Sequence, residues 1–135
     1  MLAEALSCAC MLGRVETAAY LLDNGVDPLA GIKTGLNGFH YAASGGRLPI
    51  IKLLIERNVP MEVENIYGGT VLGQAMWSAV NENRPDREHA AAIEALIGAG
   101  ANIETGTLEW WSEQPVSSAD TKRRVAKALR RAEGK

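Results

Sequence analysis

The sequence predicts an all-α solenoid: stacked helix-turn-helix pairs joined by short hairpin-like tips and closed by a C-terminal capping helix. Three observations predict it. Residues recur at a fixed spacing, since Gly25 and Asn58 stand 33 residues apart, as do Asn37 and Thr70. Each recurrence holds two short apolar stretches separated by a glycine-containing break. The apolar content is 47% of 135 residues with only 5% aromatic, so the core is Ala, Leu, Ile and Val, a helical mixture. None of the predicted helices is long enough to be stable alone in water, so each pair must pack on its neighbours. One domain, residues 1–135, suits this length.

Unit one covers about 2–32. Its first helix, Ala3 to Leu12, carries Leu2, Leu6, Cys8, Ala9, Cys10, Met11 and Leu12, with Glu4 as its one charge. A terminal repeat needs a polar outer face to remain soluble, and this one has little. The expectation is that a longer parent chain, a partner, or a second copy covers it, the last by self-association through this helix. Unit two covers 33–65. Its first helix runs from Gly38 to Ser44 and is broken by Gly45-Gly46. Its second starts near Pro49, whose missing N–H costs nothing in a first turn. That helix presents Ile50, Ile51, Leu53, Leu54 and Ile55 and stops at Asn58, a residue that tolerates the left-handed C-cap conformation.

Unit three covers 66–104. Its first helix runs past Trp77 to about Asn81. Asn58 and the equivalent Gly100 are 42 residues apart, so nine residues are inserted. Glu82 to Arg84 form the extra loop, and Pro85-Asp86 start the second helix with Asp86 as N-cap. Residues 105–117 show no fourth motif and are expected to be irregular, with Trp110 and Trp111 sealing the end of the stack. The capping helix spans 118–133, started by Ser118 or Asp120. Val125, Ala126, Leu129 and Ala132 form its apolar stripe, and basic residues occupy the opposite face.

A period of 33 with two helices per unit resembles the ankyrin repeat. Asn65-Ile66-Tyr67-Gly68-Gly69-Thr70-Val71-Leu72 is similar to that family's D-x-x-G-x-T-P-L opening. Phe39-His40-Tyr41-Ala42-Ala43 is similar to L-H-x-A-A. Leu21 to Asp27 and Ala95 to Asn102 are similar to L-L-x-x-G-A-D/N. The resemblance covers about residues 2–104. It implies a hydrogen-bond network between the motif threonine and histidine, yet each unit here keeps one of the two. Asn37-Gly38 stand for Thr-Pro in unit two, and Gly73 stands for the histidine in unit three. Weaker locking of the hairpins is the expectation. Gly73 should cost about 1 kcal/mol in helix propensity.

The resemblance also implies where a partner binds: the hairpin tips and the outward side of each first helix. Carried over by position, these are Lys33, Thr34 and Leu36 at the first tip and Ile66 and Tyr67 at the second. The helix positions are Tyr41, Ser44, Trp77 and Ser78. Aromatic residues supply much of the energy of protein interfaces, which singles out Tyr67 and Trp77. Trp77 has a competing role as filler beneath the nine-residue insertion. Glu62, Glu64, Glu104, Glu109 and Glu113 gather acidic charge near the later tips.

Charge is polarised along the chain. Residues 117–135 hold seven basic and two acidic residues, a net of +5, which leaves −7 for the other 116. The alternative functions are therefore a basic C-terminal helix that binds nucleic acid or an anionic surface, or, from the bare N-terminal face, a fragment of a larger regulatory protein of the ankyrin type. No aromatic residue lies among those cations to stack on bases, which argues against nucleic acid. His40 sits inside a structural motif, and Cys8 and Cys10 lack the C-x-x-C spacing of metal or redox sites. No phosphate-binding loop is present. Neither an enzyme nor a cofactor is expected. Two unpaired thiols and the absence of a membrane-length apolar run point to a cytoplasmic protein.

Overall fold

The computed structural model describes residues 2–29, 36–81 and 87–133. Among them are eight helices and no strand: α1 Leu2–Leu12, α2 Val15–Asp23, α3 Gly38–Ser44, α4 Leu48–Glu56, α5 Val71–Asn81, α6 His89–Gly98, α7 Thr107–Glu113 and α8 Ala119–Glu133. Consecutive helices pair as antiparallel hairpins. The pairs stack in two rows, with α3 between α1 and α5 in one and α4 between α2 and α6 in the other. The α8 helix extends the second row by packing on α6, as a capping helix should.

Local sequence explains the boundaries. The α4 helix carries Pro49 in its first turn. After the second helix of each of the first three units the chain turns through a left-handed residue, Gly25 (φ +83°), Asn58 (φ +57°) and Gly100 (φ +98°). Asn58 is the single residue other than glycine among the described residues with positive φ, and asparagine is one of the few side chains that tolerate it. Gly38 is required for a different reason. A Cβ there would come within 2.9 Å of Cys10 Sγ, so the missing side chain lets α3 approach α1.

The core lies between the two rows. Leu6, Cys10, Phe39, Ala42, Ile50, Ile51, Leu54, Val71, Ala75, Ile93 and Leu96 are all buried in it. Burial pushes the Cys10 thiol up to about 12, so this cysteine is an inert hydrophobe. Neighbouring pairs are also tied by a recurring arginine at the start of the second helix. Arg47 donates to the Met11 carbonyl (3.2 Å) and Arg87 to the Gly45 carbonyl (3.2 Å). Both acceptors lie at the C-terminal end of the preceding first helix, the negative end of its dipole.

Three expectations need correction. The 105–117 segment is not irregular throughout, since Thr107–Glu113 is a helix that pairs with α8. Trp111 is fully buried there, and its indole N–H donates to the Lys122 carbonyl at 3.0 Å. Trp110, expected to seal the same end, is exposed instead. The second helix of unit three starts at His89, with Glu88 at the N-cap position and no side-chain cap. Asp86 and the extra loop fall in 82–86, outside the described residues. Ser118 Oγ accepts from the Thr121 N–H at 3.1 Å, which makes it the cap of α8. Arg124 of α8 is salt-bridged to Glu94 of α6, an ion pair that orients the capping helix.

Candidate protein-binding face

The tip between units two and three is built by one asparagine. Asn65 Oδ1 accepts from the N–H groups of Tyr67 and Gly69, both at 2.9 Å. Its backbone N–H donates to the Gly69 carbonyl at 3.0 Å. This side-chain turn holds Ile66 and Tyr67 out in solvent.

His40 fastens that tip to α3. Asn37 caps α3 through Oδ1, accepting from the N–H groups of Phe39 and His40. His40 Nδ1 in turn accepts from the Asn37 N–H at 3.2 Å, a reciprocal capping box. With Nδ1 an acceptor, the proton sits on Nε2, which donates to the Val63 carbonyl at 2.9 Å and lies 3.2 Å from the Gly69 carbonyl. Asn37 thus does the work of the missing threonine, and the weak locking expected for unit two is not observed. His40 is fully buried. Desolvation lowers its pKa from the usual histidine value, and the bonds to Val63 and Gly69 offset this only in part.

Unit three has no such fastener. Thr70 Oγ1 caps α5 by accepting from the Gly73 N–H at 3.2 Å. Position 73, which is 33 residues beyond His40, has no side chain to reach the following turn. The space stays open as a cleft of about 730 Å³ between α5, α7 and the turn over Asn102 to Gly106. Leu72, Met76 and Ile103 give it apolar lining, and Trp77 and Trp110 contribute their indoles. Glu62, Glu64 and Glu104 also line it, and no lysine, arginine or histidine among the described residues does.

The positions carried over from sequence fare unequally. Ile66, Tyr67 and Trp77 are exposed, at 64%, 77% and 52% of their surface, and Trp110 at 42% joins them. Leu36, Tyr41 and Ser44 are half-buried. Ser78 is not a surface residue: it is fully buried, and its hydroxyl shares a 2.9 Å hydrogen bond with that of Ser44. The α3–α5 contact thereby consumes a pair expected to face a partner. Lys33 and Thr34 lie outside the described residues. Trp110 is not among the positions that the resemblance implies, because no repeat motif covers its segment. Its exposure follows from α7 being a helix, which turns adjacent tryptophans to different sides.

Comparison with known proteins agrees with this architecture. A family profile described as "Ankyrin repeats (many copies)" matches residues 6–55. The chain is 40% identical over 63 residues, 44% of its length, to "Ankyrin repeat and KH domain-containing protein mask-1" of Caenorhabditis elegans. It is 29% identical over 100 residues, 74% of its length, to "Ankyrin repeat and KH domain-containing protein mask" of Drosophila melanogaster. A third relative, "E3 ubiquitin-protein ligase hecd-1" of C. elegans, is 33% identical over 93 residues, 69% of the chain. The chain spans only 2–3% of the length of these relatives. With the profile match, the helix pairs and the in-phase motifs together, the chain belongs to the ankyrin-repeat proteins.

Proposed function

We propose that this chain is a non-enzymatic interaction module that engages a partner protein with the concave face and hairpin tips of its stack. Ankyrin repeats mediate protein–protein contacts as a class. The observation that carries the reading here is the exposure of large apolar residues in the later units: Ile66 and Tyr67 at the tip before α5, and Trp77 and Trp110 on the cleft between α5 and α7. Folding gains nothing from leaving these side chains in water, whereas interfaces use such anchors repeatedly. Alanine at Tyr67 and at Trp77 should each weaken partner binding by roughly tenfold or more. Both variants should keep their thermal stability to within about 0.5 kcal/mol, as for other exposed positions. Titration calorimetry against a selected binder, paired with a thermal melt, reads both effects. Variants that melt much earlier would identify these side chains as core and end the assignment.

The basic α8 helix supports the alternative reading less well. Arg124 bonds to Glu94, Arg123 to Asp120, and Lys122 Nζ to the Gln114 carbonyl at 2.6 Å. Three of its cations thus already have acceptors within the chain. A second contact surface is favoured by Met11 and Leu12, which stand exposed on α1 beside Cys8. Self-association through that face predicts a molar mass that rises with concentration in light scattering. A monomer across the full range removes it. Among the described residues no helix is long and apolar enough to cross a membrane, and a cytoplasmic setting remains part of this proposal.

A further inference from the structure

We propose that the cleft left open by Gly73 receives a cationic side chain, arginine or lysine, from a segment of the partner protein. This rests on the protein-binding reading above and names the chemistry of the segment that docks there. Two repeats with the same plan treat the same position differently. In unit two the imidazole of His40 fills the space between the first helix and the next turn, and donates to backbone carbonyls there. In unit three Gly73 leaves that space vacant, and an added Cβ would meet nothing closer than Thr70 Oγ1 at 3.5 Å. The vacancy is therefore not enforced by crowding.

What surrounds it selects the occupant. Glu62, Glu64 and Glu104 bring three carboxylates to the cleft, with no basic side chain among the described lining residues to neutralise them. Glu62 accepts from the Asn102 N–H at 3.0 Å and so is held at the rim. Trp77 and Trp110 add indole rings, the aromatic faces to which cations bind best. An anionic segment would be repelled, and a purely apolar one would leave the carboxylates facing a desolvated surface. A guanidinium or ammonium on an aliphatic stem meets both demands: the stem covers Leu72 and Met76 and the head meets the carboxylates. On the basic face of α8, Lys122, Arg123 and Arg124 already have acceptors in their own chain, so a second copy would have to dock through Lys127, Arg130 or Arg131, an outcome that the test below separates.

Selection of short random displayed peptides on the intact chain tests this. Peptides that lose binding to Trp77→Ala should be enriched in arginine or lysine. Their affinity should fall about tenfold in Gly73→His and in the double variant Glu64→Gln/Glu104→Gln. Gly73→His should melt no lower than the parent chain, which separates occlusion of the cleft from unfolding. Trp77-dependent peptides that are neutral or acidic would overturn the cationic occupant while leaving the interaction module standing. So would affinity unchanged in Gly73→His. Absence of any peptide sensitive to Tyr67→Ala or Trp77→Ala would instead fail the broader reading. A dimer that dissociates in the Glu64→Gln/Glu104→Gln variant would overturn the proposal by making a second copy the occupant.

Discussion

Trp111→Ala should detach the last helix pair from the stack, at a cost of about 3–5 kcal/mol, the usual loss for a fully buried tryptophan. The indole is fully buried in the α7–α8 pair. Its N–H is satisfied by the Lys122 carbonyl, so truncation removes packing and a hydrogen bond together. In a solenoid each unit leans only on its neighbours, so the damage should be graded along the chain. Amide hydrogen exchange is the measurement that resolves this. Protection should collapse over α7 and α8, weaken over α6, and persist over α3 and α4. Trp111→Phe retains most of the volume and should cost only about 1–2 kcal/mol, within the range for one lost hydrogen bond and a partly filled space. Uniform loss of protection, or none, would show that Trp111 does not seal the end of the stack.

His40→Ala should destabilise the chain by about 3 kcal/mol, since it empties a fully buried site and orphans the donors and acceptors around it. The Asn37 N–H loses its acceptor and the Val63 carbonyl its donor, while the Gly69 carbonyl keeps the Asn65 N–H. A urea titration should show the midpoint falling without a change in slope. A loss below about 1 kcal/mol would mean that the tip is held by other contacts.

The same histidine makes stability depend on pH. Its folded pKa lies below the ordinary histidine value of 6.5. Protonating Nδ1 would set its new N–H against the Asn37 N–H that it now accepts. Above the unfolded value both states are neutral and the stabilisation is complete. As pH falls below it, the unfolded chain takes up a proton that the folded chain resists, and stability declines until the folded pKa is passed. Melting between pH 7.5 and 5 should therefore show an acid-side decline that is shallower in His40→Gln. Equal slopes in the two proteins would remove His40 as the cause.

Much of this architecture was legible in the sequence because its cause is local. The break at Gly45-Gly46, Pro49 in a first turn and the left-handed stop at Asn58 act through backbone preferences of single residues. They placed α3 and α4 to within a residue or so. The 33-residue recurrence did the rest, since equivalent positions meet equivalent neighbours in a stack. The capping helix α8 was legible from its apolar stripe, whereas α7 escaped because it lies out of phase with the repeat. The α7 helix starts 36 residues after α5, so an alignment at the repeat period compares the wrong residues. Trp111 then takes a buried place at that spacing where α5 has the small Ala75.

The amino-acid order by itself determined the all-α class, the paired helices, the period and the acidic and aromatic character of the later tips. Each follows from propensity, capping and periodicity, which act over a few residues. Tertiary structure alone decided which side chains remain for a partner. Ser78 and Trp77 are adjacent in sequence, yet one is buried against Ser44 and the other stands in solvent. Trp110 and Trp111 divide the same way. Exposure is a property of what packs on a helix face. Gly73 reads in the sequence only as a weak helix former, and becomes the opening of a cleft once α5, α7 and the turn between α6 and α7 surround it.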